Sequence, residues 1–217
     1  MLLCHRYRFL FVHIAKTGGT SVRAALKPLL WRDPWYYPAW LCHRLDHLCG
    51  HRLAAKLPRH AKAICAQEML PQPMFDALFK FAFVRNPWDL QVSSYLHLKR
   101  ERPALVASCP DFAAFLRHKF DPQRLPQYHL DVTATPQGDH VLDQHGRLLV
   151  DFVGRYEHLQ EDFATICRHL GLQPRALPHL REARQRKPYK AYYDDDLAEL
   201  VAARYRDDIQ RFGYGFD

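Results

Sequence analysis

The sequence lacks several features that would assign it to a common class of protein. Its 217 residues contain no uninterrupted apolar run of the roughly 18 residues that indicate a membrane-spanning helix. They also contain no internal repeat, no low-complexity tract and no Lys/Arg-rich run typical of nucleic-acid-binding tails. We therefore predict no transmembrane segment and no nucleic-acid partner.

The six cysteines include no C-x-x-C pair and are irregularly spaced. Without a secretion signal, they are expected to be reduced thiols and not a disulfide framework. A zinc site is an open alternative in one cluster, because two of its histidines are four residues apart and would share a helix face. We favour a helix with scattered histidines and expect no metal. The cluster comprises Cys42, His43, His47, Cys49 and His51.

What the sequence does contain points to a basic globular protein. Hydrophobic residues make up 48% of the chain, and the formal net charge is +8, which indicates anionic partners. We predict one domain over residues 1–217, with insertions at about 31–58 and 101–147. The apolar N-terminus is broken by His5, Arg6 and Arg8, so we interpret it as the first strand and not as a signal peptide.

Strand-like and helix-like segments alternate, which predicts an α/β fold with a mostly parallel sheet. Strands are predicted at residues 9–14, 80–84 and 148–153, the last ending at Gly154-Arg155. Apolar periodicity predicts a helix after each strand and a final helix over residues 194–212. The buried faces of the first and third of these helices carry Val22, Ala25, Leu26 and Leu29, and Phe163, Ile166, Cys167 and Leu170.

Local signals set the ends of two helices. Asn86 is a good N-cap, Pro87 suits the first helical position and Asp89 favours the first turn, so a helix should run from there to about residue 100. Gly171 should close the helix that follows the third strand.

The loop after the first strand has the composition of an anion site. Glycines allow backbone N–H groups to approach an anion, and the following helix presents its positive end. A Walker A loop has its lysine after the glycines, whereas here Lys16 precedes them, which disfavours an ATPase or GTPase. A strand–helix turn without a ligand is the alternative. The loop residues are Lys16, Thr17, Gly18, Gly19, Thr20 and Ser21.

A second anion site is predicted where the strand at 80–84 ends. In open α/β sheets ligands bind beyond the carboxyl ends of strands, and Arg85 offers a planar fork that suits a phosphate. The hydroxyl of Ser93 would add a hydrogen bond. The alternative is that Arg85 pairs with a neighbouring carboxylate.

Together these segments resemble sulfotransferases. HIAKTGGTS resembles their 5′-phosphosulfate loop and FAFVRNPWDLQVSSY their 3′-phosphate motif. RHAKA, DFVGRYEHLQEDFATICRHLGL and YYDDDLAELVAARYRDDIQRFGYGF resemble further parts of the family that includes heparan 2-O-type carbohydrate sulfotransferases and small bacterial members. The likeness covers most of the chain and is weakest at about 30–58 and 101–145. Ala15 departs from the family's usual proline.

The resemblance implies a three-layer, P-loop-NTPase-like fold with a mostly parallel central sheet flanked by helices. The donor would be 3′-phosphoadenosine 5′-phosphosulfate (PAPS), the product adenosine 3′,5′-bisphosphate, and no metal is expected. The acceptor would be a hydroxyl or amine of a carbohydrate or small molecule. Because no N-terminal anchor like that of Golgi-resident relatives is present, we expect a cytoplasmic, bacterial enzyme.

The resemblance also implies roles for single residues. Lys16 would stabilise charge on the leaving phosphate, the loop from Thr17 to Ser21 would hold the 5′-phosphate and sulfate, and Arg85 with Ser93 would hold the 3′-phosphate. Lys187 would approach the 3′-phosphate or lie in a solvated basic loop.

His60, which aligns with the family's histidine segment, is our general base, because an imidazole titrates near neutral pH. His51 is the second choice. Glu68 is a guess for an acidic group that orients the base. Glu157 is expected to be structural, pairing with Arg155 or with a helix terminus.

The segment after the first helix carries several aromatics. We favour a role as the core of this insertion over stacking on an acceptor. These residues are Trp31, Trp35, Tyr36, Tyr37 and Trp40. Two other functions stay open: a P-loop-like nucleotide kinase, and an inactive nucleotide- or glycan-binding protein on the same fold.

Overall fold

The computed structural model describes residues 1–49, 57–178 and 187–216. The strands are β1 (Leu2–Cys4), β2 (Phe9–Val12), β3 (Phe79–Val84) and β4 (Phe152–Arg155). The α-helices are α1 (Gly19–Leu30), α2 (Tyr36–Cys49), α3 (Ala63–Met69), α4 (Gln72–Asp76), α5 (Pro87–Glu101), α6 (Phe112–Phe120), α7 (Tyr128–Ala134), α8 (Leu159–His169), α9 (Asp195–Arg204) and α10 (Arg206–Phe212). Single 3-10 turns lie at Pro103–Val106, Gly138–His140, Tyr156–His158 and Tyr189–Tyr192.

The strands form one sheet in the order β1-β2-β3-β4. β2 pairs with β3 and β3 with β4 in parallel, whereas β1 pairs with β2 in antiparallel orientation. The mostly parallel sheet is therefore confirmed.

The prediction of one N-terminal strand is wrong, because the segment folds as the β1–β2 hairpin. The Asp33 carboxylate at the end of α1 accepts hydrogen bonds from the backbone amides of His5 and Arg6 in the hairpin turn. Such a contact between distant segments leaves no local sequence signal.

Helices cover both faces of the sheet because its side chains alternate in direction. Phe9 and Phe11 pack with buried residues of α1 and α8, whereas Leu10 and Val12 pack with α3, α4 and the end of α10. The central strands β2 and β3 are buried almost throughout, as expected for strands of a parallel sheet with two covered faces. The sequence-based expectation of helices flanking a central sheet is confirmed.

A third apolar cluster joins α5, α6 and α9. The region 101–147 thus supplies buried residues, among them Phe112, Phe115 and Leu116 on α6, that pack on the outer side of α5. Buried residues of α5 belong to this helical cluster, and α5 begins shortly after β3 ends.

The predicted ends of α5 and α8 are confirmed. The Asn86 side chain accepts hydrogen bonds from the amides of Trp88 (3.1 Å) and Asp89 (3.4 Å), and Pro87 opens α5. Gly171 has a left-handed φ of 66°, and the amide of Leu172 donates to the carbonyl of Cys167 (2.8 Å), which closes α8 in a Schellman-type turn.

The strand predicted at residues 148–153 is shifted, since β4 is Phe152–Arg155. Ladder pairing with β3 begins only after Asp151, whose amide donates to the Lys80 carbonyl (2.7 Å). Gly154 lies inside the strand and does not terminate it. A Cβ there would lie 2.6 Å from Cε1 of Phe83, so this glycine serves the close approach of that ring.

The single final helix predicted over residues 194–212 is also wrong. Tyr205 leaves helical geometry (φ −114°, ψ 27°) and separates α9 from α10. Its side chain is 2% exposed, and its hydroxyl donates to the carbonyl of Thr133 (3.0 Å). The break lets the tyrosine bridge to α7, a contact that helical periodicity cannot predict.

The aromatic segment does not form a core, contrary to the favoured interpretation. Of these aromatics, Tyr36 alone packs against a buried cluster. The other four, which lie at the end of α1, before α2 and on α2, are about half exposed. The exposed fractions are 53% for Trp31, 62% for Trp35, 60% for Tyr37 and 48% for Trp40. No helix of the described ranges has the length and apolar character needed to cross a bilayer.

Candidate active site

The loop between β2 and α1 has two residues in the left-handed region. Lys16 has a φ of 67° and Gly18 a φ of 78°. The amides of Ser21 and Val22 bond to the Gly18 carbonyl, which leaves those of Gly19 and Thr20 at the open end of α1. The Thr17 hydroxyl donates to the Ile14 carbonyl (3.0 Å) in a buried position, so it stabilises the loop from within.

Steric contacts explain why glycine occupies both positions 18 and 19 of the loop. A Cβ on Gly18 would lie 2.6 Å from Cδ2 of Leu159 in addition to the strain of its positive φ. A Cβ on Gly19 would lie 2.1 Å from Cδ2 and 2.2 Å from Nε2 of His13. The backbone therefore packs directly against the His13 ring and the start of α8.

Arg85 connects the second motif to this loop. Its Nη1 donates to the carbonyl of Lys16 (2.9 Å), which supports the residue with the unusual φ. Its Nε donates to Oδ2 of Asp89 (2.7 Å), and its Nη2 lies 2.5 Å from the same oxygen. The guanidinium also stacks on Tyr156, with Cζ 3.8 Å from the ring centroid. The carboxylate pairing that the sequence left open for Arg85 is present, and it fixes the orientation of the guanidinium.

The backbone of Arg85 is held from distant parts of the chain. The Gln137 side chain accepts from the Arg85 amide and donates to the Arg85 carbonyl, both at 2.8 Å. Gln137 is itself held by Asp208 on α10, whose carboxylate accepts from the amides of Gln137 (2.6 Å) and Gly138 (2.8 Å). Gln137 and Asp208 are each 1% exposed. Burial raises the pKa of the Asp208 carboxyl, and the two amide hydrogen bonds oppose this effect.

Glu157 is a structural residue, as predicted. Its Oε1 accepts from the backbone amide of Asn86 (2.8 Å) at the N-terminus of α5, and its Oε2 accepts from the Tyr214 hydroxyl (3.1 Å). Arg155 binds elsewhere and donates to the carbonyl of Phe212. The turn after β4 thus fixes the beginning of α5.

His60 is positioned by a backbone carbonyl. Its Nδ1 lies 2.9 Å from the carbonyl oxygen of His13, and the two rings are 4.7 Å apart between centroids. Burial lowers the pKa of His60, and the hydrogen bond to the His13 carbonyl opposes this shift. Glu68, the acidic residue guessed for this role, is exposed on α3. Among the described residues the orienting group is therefore the peptide oxygen and not a carboxylate.

A single cleft of about 1630 Å³ joins these parts. The loop, Arg85 with Asp89, and His60 with His13 all line it. Of the predicted site residues, Lys16, Gly18, Gly19, Thr20, Ser21, His60, Arg85 and Ser93 lie in its wall.

The remaining predicted residues have other positions. Thr17, although part of the loop, is fully buried. Lys187 is exposed and is not among the cleft-lining residues. His51 lies outside the described residues, as do the side chains of His43, His47 and Cys49, so the zinc alternative falls largely outside the structure. Within the described ranges no group of three or more His, Cys, Asp or Glu side chains could hold a metal ion.

Sequence reasoning missed three residues of the site: His13, Gln137 and Asp208. His13 stands inside the loop motif, directly after a buried strand, and its 4% exposure places an imidazole in the interior. Asp208 is an acidic residue on the buried face of a helix, which is the one signal that could have marked it. Gln137 lies in a region without periodicity and gave no signal.

Comparison with known proteins identifies the family of the chain. The model of the sulfotransferase family matches residues 1–215 of the chain. An uncharacterised protein of Archaeoglobus fulgidus is 34% identical over 101 residues, which are 46% of this chain and 72% of that protein. No solved structure matches the chain. Because the family match covers almost the whole sequence, the chain belongs to the sulfotransferase family, whose general reaction is sulfuryl transfer.

Proposed function

We propose that this sulfotransferase moves a sulfuryl group from PAPS to a hydroxyl or amine of a carbohydrate or small molecule, with His60 as general base. One observation carries the proposal: a single cleft is lined by the Lys16 loop, by Arg85 and Ser93, and by His60. The proposal includes a P-loop-like fold, a relation to heparan 2-O-type enzymes, and a cytoplasmic, bacterial setting.

The donor end suits a nucleotide with two phosphate groups. The open amides of Gly19 and Thr20 at the start of α1 offer donors to the 5′-phosphosulfate. The three described contacts of the Arg85 guanidinium use three of its five N–H groups, which leaves two for an anion in the cleft. Ser93, two turns into α5, lines the same wall and would add its hydroxyl.

The base end suits proton abstraction. A carbonyl oxygen can only accept, so the bond from Nδ1 to the His13 carbonyl places the His60 proton on Nδ1. The lone pair of Nε2 is then available for the acceptor proton. Because burial lowers the pKa of His60, its imidazole is neutral at pH 7, as a base must be.

In the proposed step the acceptor oxygen forms a bond to sulfur while the bond between sulfur and the phosphate oxygen breaks. The acceptor proton passes to Nε2 of His60, and the electron pair of the broken bond stays on the phosphate oxygen. Lys16 and the α1 amides stabilise the charge that develops there, which lowers the barrier.

Isothermal titration calorimetry with adenosine 3′,5′-bisphosphate tests the donor assignment. We expect wild type to bind, Arg85→Ala to lose at least about tenfold in affinity because charge-assisted bonds to phosphate are lost, and the exposed control Arg117→Ala to bind normally. Absence of binding by wild type would contradict the assignment.

Two other functions have distinct outcomes. Preferential binding of ATP with magnesium over adenosine 3′,5′-bisphosphate would favour a nucleotide kinase. Nucleotide binding without transfer of ³⁵S from labelled PAPS to any acceptor in a panel of glycans and small alcohols would favour an inactive binding protein. The panel also identifies the acceptor class.

A further inference from the structure

A fully buried lysine lies behind the cleft and has no part in the mechanism above. Lys119 on α6 is 1% exposed. Its Nζ donates to Oε1 of Gln91 (2.6 Å), Oγ1 of Thr133 (2.7 Å) and Oγ of Ser94 (3.3 Å). An ammonium has three N–H groups, and all three are directed at neutral oxygens.

The charge of Lys119 is not balanced by a carboxylate of its own among the described residues. Asp131, a carboxylate that acts on the pKa of Lys119, forms a salt bridge with Arg124 and accepts from the Gln127 amide (2.7 Å). Burial lowers the pKa of the Lys119 ammonium well below its ordinary value, Arg124 adds to this effect, and Asp131 opposes it. Burying a cation without its own counter-ion lowers the stability of the folded protein, because the cation loses its hydration.

The position of this group relates it to the cleft. Ser94 and Thr133, two of its three acceptors, line the same cleft as Arg85 and Ser93. Ser94 directly follows Ser93 on α5, and its Oγ lies 2.8 Å from Oγ1 of Thr133. The Thr133 hydroxyl is directed at the Leu130 carbonyl (3.2 Å), so both hydroxyls are held in place. The Lys119 ammonium is therefore separated from the cleft by the hydroxyl groups of Ser94 and Thr133, on the wall that also includes Arg85 and Ser93.

We propose that Lys119 is a specificity-determining residue, whose buried charge behind Ser94 and Thr133 favours a nucleotide that carries a 3′-phosphate. This inference rests on the proposed function. It adds Lys119 to Arg85 as a second cation that acts on the 3′-phosphate. Inside the protein such a charge is screened far less than one on the surface, so it acts on an anion in the cleft without touching it.

The test compares two nucleotides that differ only in the 3′-phosphate. Calorimetry measures the affinities of wild type and Lys119→Met for adenosine 3′,5′-bisphosphate and adenosine 5′-monophosphate. Methionine keeps the volume and removes the charge. We expect the preference for the bisphosphate to fall at least about tenfold in the variant, with little change in affinity for the monophosphate. The surface control Lys99→Met should keep the wild-type preference.

Other outcomes overturn the inference. Equal losses for both nucleotides would show that Lys119 only maintains the structure of the wall, while the donor assignment would stand. A wild type that binds the two nucleotides equally would overturn both this inference and the donor assignment. If thermal unfolding shows that Lys119→Met does not fold, Lys119→Gln, which keeps a hydrogen-bond donor without the charge, provides the same comparison.

Discussion

The two ends of the cleft are built differently. At the donor end, Arg85 is held through both its side chain and its backbone, and Gln137 and Asp208 extend this support to α10. At the base end, His60 lies three residues before α3 and is oriented by a hydrogen bond to the His13 carbonyl. Several hydrogen bonds therefore hold the arginine, whereas among the described residues His60 makes one side-chain hydrogen bond, to a backbone carbonyl.

The charges at the two ends differ as well. The cations Arg85 and Lys16 lie at the donor end, whereas at the base end burial lowers the pKa of His13 to about 2, of His60 below its usual value, and of His140 to about 4. Acid should therefore act on the base end while nucleotide binding persists. We therefore expect that nucleotide binding and sulfuryl transfer can be altered independently, and the following changes test this expectation.

The largest effect is expected for His60→Ala. Loss of a general base lowers transfer by roughly 10²–10⁴-fold, whereas affinity for adenosine 3′,5′-bisphosphate should stay near wild type because the donor end is untouched. Labelled-sulfate transfer and calorimetry measure the two quantities, and His145→Ala, at an exposed histidine, is the control. Near-normal turnover would remove His60 from the role of base.

Lys16→Ala should come next. We expect transfer to fall by roughly 10²–10³-fold because charge on the leaving phosphate is no longer stabilised, with a smaller loss in affinity for the product nucleotide. Exposed Lys27 provides the matched control, Lys27→Ala. Losses of equal size in transfer and binding would indicate that Lys16 only binds.

The pH dependence of wild-type transfer should show the titration of the base. Because burial lowers the pKa of His60, its imidazole becomes protonated only at a pH below 6.5. Below the pKa of His60 the rate should fall about tenfold per pH unit, while affinity for adenosine 3′,5′-bisphosphate changes much less. A rate that falls in step with nucleotide affinity would contradict the separation of the two ends.

Asp208→Asn tests the long-range support of the donor end. It replaces one acceptor oxygen by a donor and leaves the amide of Gln137 or Gly138 unsatisfied, which should cost about 1–3 kcal/mol in the free energy of unfolding. Nucleotide affinity should fall with it because Gln137 holds Arg85. Urea denaturation and calorimetry measure both effects against exposed Asp207→Asn. A variant with wild-type stability would show that the Asp208 contacts contribute little.

The smallest effect concerns acid stability at the base end. Burial, Lys62 and His60 lower the pKa of His140 from 6.5 to about 4. The unfolded chain thus binds this proton first, so stability is present above pH 6.5 and is lost as the pH falls toward 4. His140→Leu should remove about 2 kcal/mol of the loss between pH 7 and pH 5. Urea denaturation at both pH values, with His145→Leu as control, should show a smaller pH dependence for His140→Leu alone.

Much of the architecture could be predicted from short segments. The N-cap at Asn86, the closing glycine at Gly171 and the apolar strands β2 and β3 are local features, and each is present where the sequence indicates it. The incorrect predictions share one cause, since each missed feature depends on a contact between segments that are distant in sequence. The β1–β2 hairpin depends on Asp33, the start of β4 on Asp151, and the helix break on the burial of Tyr205 against α7.

The candidate site divides in the same way. The motifs indicated the loop, Arg85 and His60 by composition and resemblance, and the structure brings these residues to one cleft. The partners of those residues could not be predicted, because Arg85 is held by Gln137 and His60 by the His13 carbonyl, 52 and 47 positions away in the chain. Neither contact has a fixed spacing or a characteristic residue pair.

The sequence by itself determined which candidate side chains the protein contains. They are a glycine loop with a preceding lysine, an arginine at a strand end, and a histidine that is distant in sequence from both. Tertiary structure decided how these groups act. It set the tautomer of His60, fixed the direction of the Arg85 guanidinium and buried Lys119 behind the cleft wall. The physical reason is that residue type and local propensity are properties of short segments, whereas desolvation and hydrogen-bond partners arise only when distant segments pack together.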